Sequence, residues 1–217
     1  MKKTFGAFFV GLLLLVSHIS LAGSSVQPLA KIEIFQDEET LKRGVMVYYN
    51  SCRLCHSMKY IRYQDLVEIG FSTAEIKKLR GRLTEKRLTS INSAVILTQI
   101  YGLVPPDLSL MAKARSQGPQ YIYTLLTSYY EKSANIYDNK LFPGIRMPDI
   151  FSHSLALNPQ EKTKTENKIL DVTAFLVWAS DPKAQERKSL GKYVIAYLVG
   201  LSIMFYFVMK RVWGRLE

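Results

Sequence analysis

The sequence contains two cysteines, Cys52 and Cys55, which stand three positions apart and are followed directly by His56. The pattern C-x-x-C-H is typical of covalent haem attachment. Each thiol adds across one of two vinyl groups on one side of the macrocycle, and two intervening residues let the chain span them. The next residue then places an imidazole beneath the iron. The pattern predicts one covalent haem c at Cys52 and Cys55, with His56 as an axial ligand.

Two other kinds of site use a C-x-x-C pair. A thioredoxin-like redox pair follows a strand, whereas the residues before Cys52 have the pattern of a helix. A zinc site needs further ligands, but the chain has no other cysteine, and His18 lies in a segment that we expect to be removed. The spacing therefore favours haem over both alternatives.

The N-terminal segment has the three parts of a secretory signal peptide. Met1 to Lys3 is basic, Phe5 to Val16 is apolar, and Ser20-Leu21-Ala22 supplies small residues for a peptidase. We predict a signal peptide over residues 1–22, cleaved after Ala22. The alternative is an uncleaved anchor, for which the apolar run is short. Export agrees with the haem prediction, because c-type haem is attached outside the cytoplasm.

A second apolar segment lies near the C-terminus. The 17 residues from Tyr193 to Met209 carry no charge, and as a helix they are about 26 Å long. Lys192 and Lys210 flank them and extend the span to a bilayer core of about 30 Å. A buried core helix, the alternative, rarely has lysines at both ends. The predicted units are a haem domain at 23–190, a transmembrane helix at 191–210 and a cytoplasmic tail at 211–217.

The rest of the chain has the periodicity of helices and little strand-like alternation. Helices are predicted at 37–51, 73–83, 119–130 and 165–180, with Thr40 as a possible cap of the first. Gly44 inside the first helix costs about 1 kcal/mol relative to alanine, which a close helix crossing would justify. Val104 to Asp107 and Phe142 to Gly144 indicate loops. The predicted fold class is mainly α.

The other face of the iron needs a ligand or stays open. Met147 lies between Gly144 and Pro148, in a loop that can hold a methionine outside a helix. Its thioether would raise the reduction potential of a His-ligated haem. Other methionines lie too close to the attachment site or within the predicted membrane helix. The remaining candidates are Met111, Met147 and His153, and we predict Met147.

The net charge of +11 raises the question of a polyanionic partner. The basic residues are spread along the chain, with a cluster near the C-terminal apolar segment, and no nucleic-acid motif is present. We expect an association with a membrane and no binding of nucleic acid.

Four segments of the chain form a pattern that extends beyond the haem motif: Arg43 to Tyr63, Pro105 to Thr127, Phe142 to Pro148, and Asp171 to Gly191. The most specific part is Pro-Pro-Asp-Leu-Ser followed by Ala-Arg, between a haem motif and a C-terminal anchor. In this order, the four segments resemble the cytochrome c1 family, the haem subunits of ubiquinol–cytochrome c oxidoreductase (the cytochrome bc1 complex).

The resemblance implies a monohaem class I cytochrome c-like domain with one C-terminal transmembrane helix. Pro105 and Pro106 would line the haem pocket, Arg115 would pair with a propionate, and Tyr121 would contact the haem. The implied partners are cytochrome b, a Rieske iron–sulfur protein as electron donor, and a c-type cytochrome as acceptor. The implied location is the bacterial inner membrane, with the haem domain on the periplasmic side.

Three classes of function agree with a single haem motif. The leading one is a non-catalytic electron-transfer subunit of a quinol-oxidising complex. The second is a different membrane-anchored monohaem cytochrome that serves a terminal oxidase or acts as a tethered carrier, against which the Pro-Pro-Asp-Leu-Ser segment argues. The third is a catalytic or gas-sensing haem protein with an open sixth position. It predicts rapid binding of carbon monoxide, which a bound methionine resists.

Overall fold

The computed structural model describes residues 27–134, 136–156 and 158–215. Within these ranges the chain is mainly helical, which confirms the predicted class. The helices are α1 (Glu38–Val47), α2 (Thr73–Arg80), α3 (Ala94–Tyr101), α4 (Gly118–Thr127), α5 (Pro159–Ser180) and α6 (Ala184–Trp213). A π-helical turn at Tyr48–Cys52 and 3-10 turns at Tyr63–Ile69 and His153–Leu155 join them. Two antiparallel strand pairs complete the described part: β1 (Met58–Arg62) with β2 (Arg87–Leu88), and β3 (Tyr129–Ser133) with β4 (Ile136–Asn139).

Helices α1 and α5 cross closely at Gly44. A side-chain carbon at this position would collide with the carbonyl oxygen of Asp171 and would lie 2.8 Å from the Cβ atom of Phe175. Beside the crossing, the Arg43 guanidinium donates two hydrogen bonds, of 2.9 and 3.1 Å, to the Asp171 carboxylate. The close crossing predicted from Gly44 is therefore confirmed.

The core forms where α1 and α5 meet. Tyr48 and Phe175 are completely buried, with ring centroids 5.8 Å apart, and Phe175 stacks on Trp178 at 5.9 Å. Val45 and Val172 are also completely buried in this cluster. Burial of apolar side chains on this scale gives most of the stabilisation that holds the two helices together. The crossing thereby fixes the residues that follow α1, which carry the haem motif.

Two helix starts differ from the prediction. Asp37, and not Thr40, caps α1, because its Oδ1 atom accepts a 2.9 Å hydrogen bond from the backbone N–H of Thr40. Helix α5 begins at Pro159 instead of residue 165, because Asn158 caps it through a 2.8 Å bond from the N–H of Glu161. Both caps are short polar side chains that satisfy N–H groups of a first turn.

Three predicted helix ends also differ. The helix predicted at 37–51 is α-helical only to Val47 and continues as the π-helical turn. The one predicted at 73–83 ends at Arg80, where Gly81 takes a positive φ of 59°. The one predicted at 119–130 ends at Thr127, and residues 129 and 130 begin β3. Pairing of β3 with β4, which is a non-local contact, overrides the local helical period there.

Helix α6 is long and apolar enough to cross a membrane, and none of its described side chains is buried. It extends beyond the predicted span of 191–210 at both ends. At its base, the Asp181 carboxylate accepts hydrogen bonds from Lys113 and Arg187, and Lys183 forms a 2.9 Å ion pair with Glu68. These contacts join the helix to the domain. The predicted signal peptide at 1–22 lies outside the described residues, as do residues 216 and 217 of the predicted tail.

Candidate haem site

The haem motif forms a tight turn directly after α1. The carbonyl oxygen of Cys52 accepts backbone hydrogen bonds from the N–H groups of Cys55, at 3.1 Å, and His56, at 2.8 Å. The two cysteines form no disulfide, and both are half-buried. Burial raises the pKa of the Cys52 thiol to about 12, so this group stays protonated at neutral pH. The turn brings the two thiols and the imidazole to one wall of a cavity.

The His56 ring is oriented by the Pro-Pro-Asp-Leu-Ser segment. Its Nδ1 atom lies 2.7 Å from the carbonyl oxygen of Pro106. A carbonyl only accepts, so Nδ1 carries the proton and Nε2 keeps its lone pair for a metal. Burial lowers the pKa of His56, which favours the neutral ring that metal ligation requires.

Asp107 and Ser109 fasten that segment to the strand that follows the motif. The Asp107 carboxylate accepts backbone hydrogen bonds of 2.9 Å from Lys59 and from Ser109. The Ser109 hydroxyl, on a completely buried residue, accepts a 3.1 Å bond from the N–H of Tyr60. Two of these three bonds join residues 48 and 49 positions apart in sequence, and they hold the segment so that the Pro106 carbonyl meets His56.

A cavity of about 300 Å³ unites the predicted site residues. Most of its lining is aliphatic or aromatic, and among the described residues two arginines and no carboxylate line it. This suits a porphyrin, whose ring is apolar and whose edge carries two carboxylates. With two thiols and an imidazole on one wall, the described residues fit a covalent haem. The predicted residues that line the cavity are Cys52, Cys55, His56, Pro105, Pro106, Arg115, Tyr121 and Met147.

The loop that carries Met147 is held by two buried polar side chains that the sequence analysis did not single out. Asp138 accepts a 2.7 Å hydrogen bond from the N–H of Gly144, where the backbone has a positive φ of 77°. Asn139 is completely buried and accepts bonds from the N–H groups of Leu141, at 2.9 Å, and Phe142, at 3.1 Å. An Asp-Asn pair just before Phe-Pro-Gly is a turn signal that could have indicated this role.

Two further contacts position Met147 itself. The Tyr129 hydroxyl donates a 3.0 Å hydrogen bond to the Met147 carbonyl oxygen, and burial raises the pKa of this phenol, so it stays a donor. The preceding Arg146 donates a 3.1 Å bond to the carbonyl oxygen of Tyr101, at the end of α3. The loop is thus tied to β3 on one side and to α3 on the other.

The two other candidates for the sixth ligand lie in different settings. His153 does not line the cavity, and its Nε2 atom lies 3.1 Å from the Glu166 carboxylate. Met111 does line the cavity. It follows Leu108, whose N–H donates a 2.9 Å bond to Ser57, the neighbour of His56. Met111 thus lies on the same segment as Pro106, whose carbonyl contacts His56, whereas Met147 lies on a separate loop.

Arg115 and Tyr121 stand together at the cavity. The Arg115 guanidinium lies over the Tyr121 ring, 5.6 Å from its centroid. Arg115 is exposed and makes no ion pair with any residue that the structure describes. Its charge is thus available to an anionic group at the edge of the cavity, which is where the resemblance placed a haem propionate.

The fold and the cavity define a class of protein: a mainly α-helical c-type cytochrome domain anchored to a membrane by one long apolar helix. Comparison with known proteins narrows that class. The model of the cytochrome C1 family matches residues 30–94 and 89–216. The chain belongs to the cytochrome c1 family, whose members carry one covalent haem c.

Individual relatives agree with this assignment. Cytochrome c1 of Rhodospirillum rubrum is 31% identical over 82% of this chain and 82% of its own length. Mitochondrial cytochrome c1 1 of Arabidopsis thaliana, a haem protein, is 31% identical over 77% of this chain, which spans only 64% of the plant protein. A solved chain of a hyperthermophilic respiratory Complex III has the same fold, with a TM-score of 0.50 at 19% identity, covering 99% of this chain and 98% of that one.

Proposed function

We propose that this chain is the haem subunit of a cytochrome bc1 complex and that it transfers electrons from a Rieske iron–sulfur protein to a c-type cytochrome. The observation that carries the proposal is the cavity. One apolar space brings together a haem-attachment turn, an oriented imidazole and a methionine held on a separate loop. Membership of the cytochrome c1 family supports the same assignment.

Each site residue has a distinct task in this proposal. Cys52 and Cys55 would hold the haem covalently, and His56 and Met147 would hold the iron. Bound in this way, the haem supplies reversible one-electron chemistry. The Pro106 carbonyl keeps Nε2 of His56 free for the iron through its bond to Nδ1.

The other residues of the cavity exclude water and competing ligands. Most of its described lining is aliphatic or aromatic, so few polar groups would compete with the predicted ligands for the iron. A methionine in the sixth position blocks small molecules, which suits electron transfer and opposes a catalytic or gas-sensing role. Arg115 would balance the charge of a propionate that is brought into this low-dielectric space.

The anchor determines where the haem domain works. We propose that α6 spans the bacterial inner membrane and that the haem domain lies on the periplasmic side. Lys210 and Arg211, at its C-terminal end, suit the cytoplasmic face, as the positive-inside rule requires. None of the described side chains of α6 is buried, so lipid and neighbouring helices are the natural surroundings of its apolar part. We propose that cytochrome b supplies such neighbours.

Co-purification tests the assignment. A tagged full-length chain, extracted in a mild detergent, is expected to bring with it a b-type cytochrome and a Rieske cluster, detected by haem spectra and electron paramagnetic resonance. Reduction of the c-type haem by added quinol should then require the associated subunits. The detergent is used at a concentration at which the membrane fraction still oxidises quinol. If the chain then purifies with its haem but without either partner, the result contradicts the proposal and favours a tethered carrier.

A further inference from the structure

Arg53, the first residue between the two cysteines, is a buried cation. Only 4% of its surface is exposed. Its guanidinium carbon lies 4.7 Å from the centroid of the Tyr49 ring and 6.0 Å from that of Tyr63. Its Nε atom donates a 3.0 Å hydrogen bond to the carbonyl oxygen of Thr89. Arginine is almost never this buried unless it is paired, so its surroundings need an explanation.

No carboxylate neutralises this charge within the part of the chain that the structure describes. The ion pairs of the described residues involve other cations, and the hydrogen bond of Arg53 goes to a neutral carbonyl. Two aromatic faces replace part of the lost hydration, since cation–π attraction strengthens when the pair is desolvated. A carboxylate would cancel the positive field, whereas aromatic rings stabilise the ion and leave its net charge intact.

We infer that Arg53 is a fixed positive charge that raises the reduction potential of the haem attached to its neighbour Cys52. The inference deepens the proposed function and rests on haem attachment at this motif. Reduction adds one negative charge to the haem, so a nearby cation favours the reduced form. The effect is strong where the surroundings are poorly polarisable, and mobile ions screen a buried charge weakly.

The choice of arginine gives this charge a further property. A guanidinium stays protonated throughout the accessible pH range, unlike a buried lysine, whose pKa shifts readily. The Arg53 side chain does not line the cavity, so it acts through its charge and not by contact with the iron ligands. Arg53 would thus act on the haem at a distance, through its charge, whereas Arg115 would act at the cavity itself.

The test is a potentiometric titration of the full-length haem protein in detergent, comparing Arg53→Met, Arg53→Gln and Arg53→Lys with the parent. Arg82→Met is the matched control, because Arg82 is an exposed arginine without an ion pair in the described part of the chain. At a fixed ambient potential, we expect the ratio of reduced to oxidised haem to fall about tenfold in both neutral variants, which is a shift of 59 mV for one electron. The reduction potential of Arg53→Lys should stay close to that of the parent. Arg82→Met should change the ratio of reduced to oxidised haem less than twofold.

Two further measurements separate this inference from the proposed function. Covalent haem retention, measured by acid–acetone extraction, reports on attachment in each variant. The shift in the neutral variants should persist at high salt, where any effect of Arg82→Met should vanish. An unchanged potential in a neutral variant that retains its haem overturns the inference and leaves the proposed function standing. So does an equal fall in Arg53→Lys at a pH low enough to protonate the lysine, because it would show that packing of the guanidinium matters and its charge does not.

Discussion

Replacing Asn139 by alanine should both destabilise the domain and loosen the loop that holds Met147 at the cavity. The Asn139 side chain is completely buried and makes three hydrogen bonds. Its Nδ2 atom donates to the carbonyl oxygen of Leu125 at 2.7 Å, and its Oδ1 atom accepts from the N–H groups of Leu141 and Phe142 at 2.9 and 3.1 Å. The first bond ties β4 to α4, and the other two shape the start of the Met147 loop.

The magnitude follows from the groups that the substitution leaves behind. Alanine leaves the N–H groups of Leu141 and Phe142 without this acceptor, and it leaves the Leu125 carbonyl with only the long 3.4 Å bond from the N–H of Ser128. Each buried group left unpaired costs about 1–3 kcal/mol. Phe142 is half-exposed, so water can reach its N–H group. The N–H of Leu141 and the carbonyl of Leu125 therefore account for most of the lost stability. We therefore expect a loss of about 3 kcal/mol in the free energy of unfolding. With a slope of about 4 kcal/mol per molar guanidinium chloride, the midpoint should fall by about 0.8 M.

The assay is guanidinium unfolding of the detergent-solubilised haem protein, followed by tryptophan fluorescence. The matched control is Asn167→Ala, because Asn167 is exposed on α5, and its removal should change stability by less than about 0.5 kcal/mol. In the same Asn139→Ala sample, the weak near-infrared band of a methionine-ligated ferric haem should decrease, and carbon monoxide should bind the reduced form. A variant as stable as the parent would refute the energetic reasoning. A destabilised variant with an intact band would show that Asn139 does not hold the Met147 loop.

Four further predictions test the cavity and the base of α6. Met147→His should lower the reduction potential by hundreds of millivolts, on the order of the range over which axial ligands tune haem. Met147→Leu should open the iron to carbon monoxide, whereas Met111→Leu should leave the near-infrared band in place. Alanine at either Cys52 or Cys55 should weaken covalent haem retention, and alanine at both should abolish it, as extraction with acid–acetone will show. Arg115→Ala should lower the reduction potential, because a propionate then loses its counter-charge. An unchanged potential would show that Arg115 is an ordinary surface arginine that does not interact with the haem. Arg187 and Lys113 hold the pKa of Asp181 well below its usual range. The stability that this carboxylate contributes is therefore present above the unfolded-state pKa of about 4 and is lost as pH falls through the folded pKa. Asp181→Asn should be less stable than the parent at pH 7, and the difference in free energy of unfolding should disappear in acid.

The parts of the structure that sequence could predict are those fixed by local chemistry. The attachment turn needs only the spacing of Cys52, Cys55 and His56, and the crossing at Gly44 follows from a glycine inside an apolar helical stripe. Helix α3 was missed for the opposite reason. Val95 and Ile100 are exposed and Leu97 alone is buried among its residues, so the segment lacks the one-sided pattern that predicts a helix.

The β3–β4 hairpin was missed because its cause lies elsewhere in the chain. Tyr129 and Tyr130 continue the apolar period of α4, so a local reading extends that helix. The pairing of Tyr129 with Asn139 and the hydrogen bond from the Tyr129 hydroxyl to Met147 overrule that period. These contacts join residues 10 and 18 positions apart, beyond the three or four positions that a helical pattern relates.

The Pro-Pro-Asp-Leu-Ser segment shows how a resemblance can locate residues whose task only the geometry explains. The prolines were expected to line a haem pocket, and they do line the cavity. Pro106 does more, because its carbonyl oxygen selects the His56 tautomer. A carbonyl can do this only if its own backbone is fixed, and the bonds from Lys59 and Ser109 to the Asp107 carboxylate fix it. Asparagine at position 107 would offer one acceptor oxygen instead of two, so the aspartate is what lets a loop fifty residues away orient the predicted axial ligand, His56.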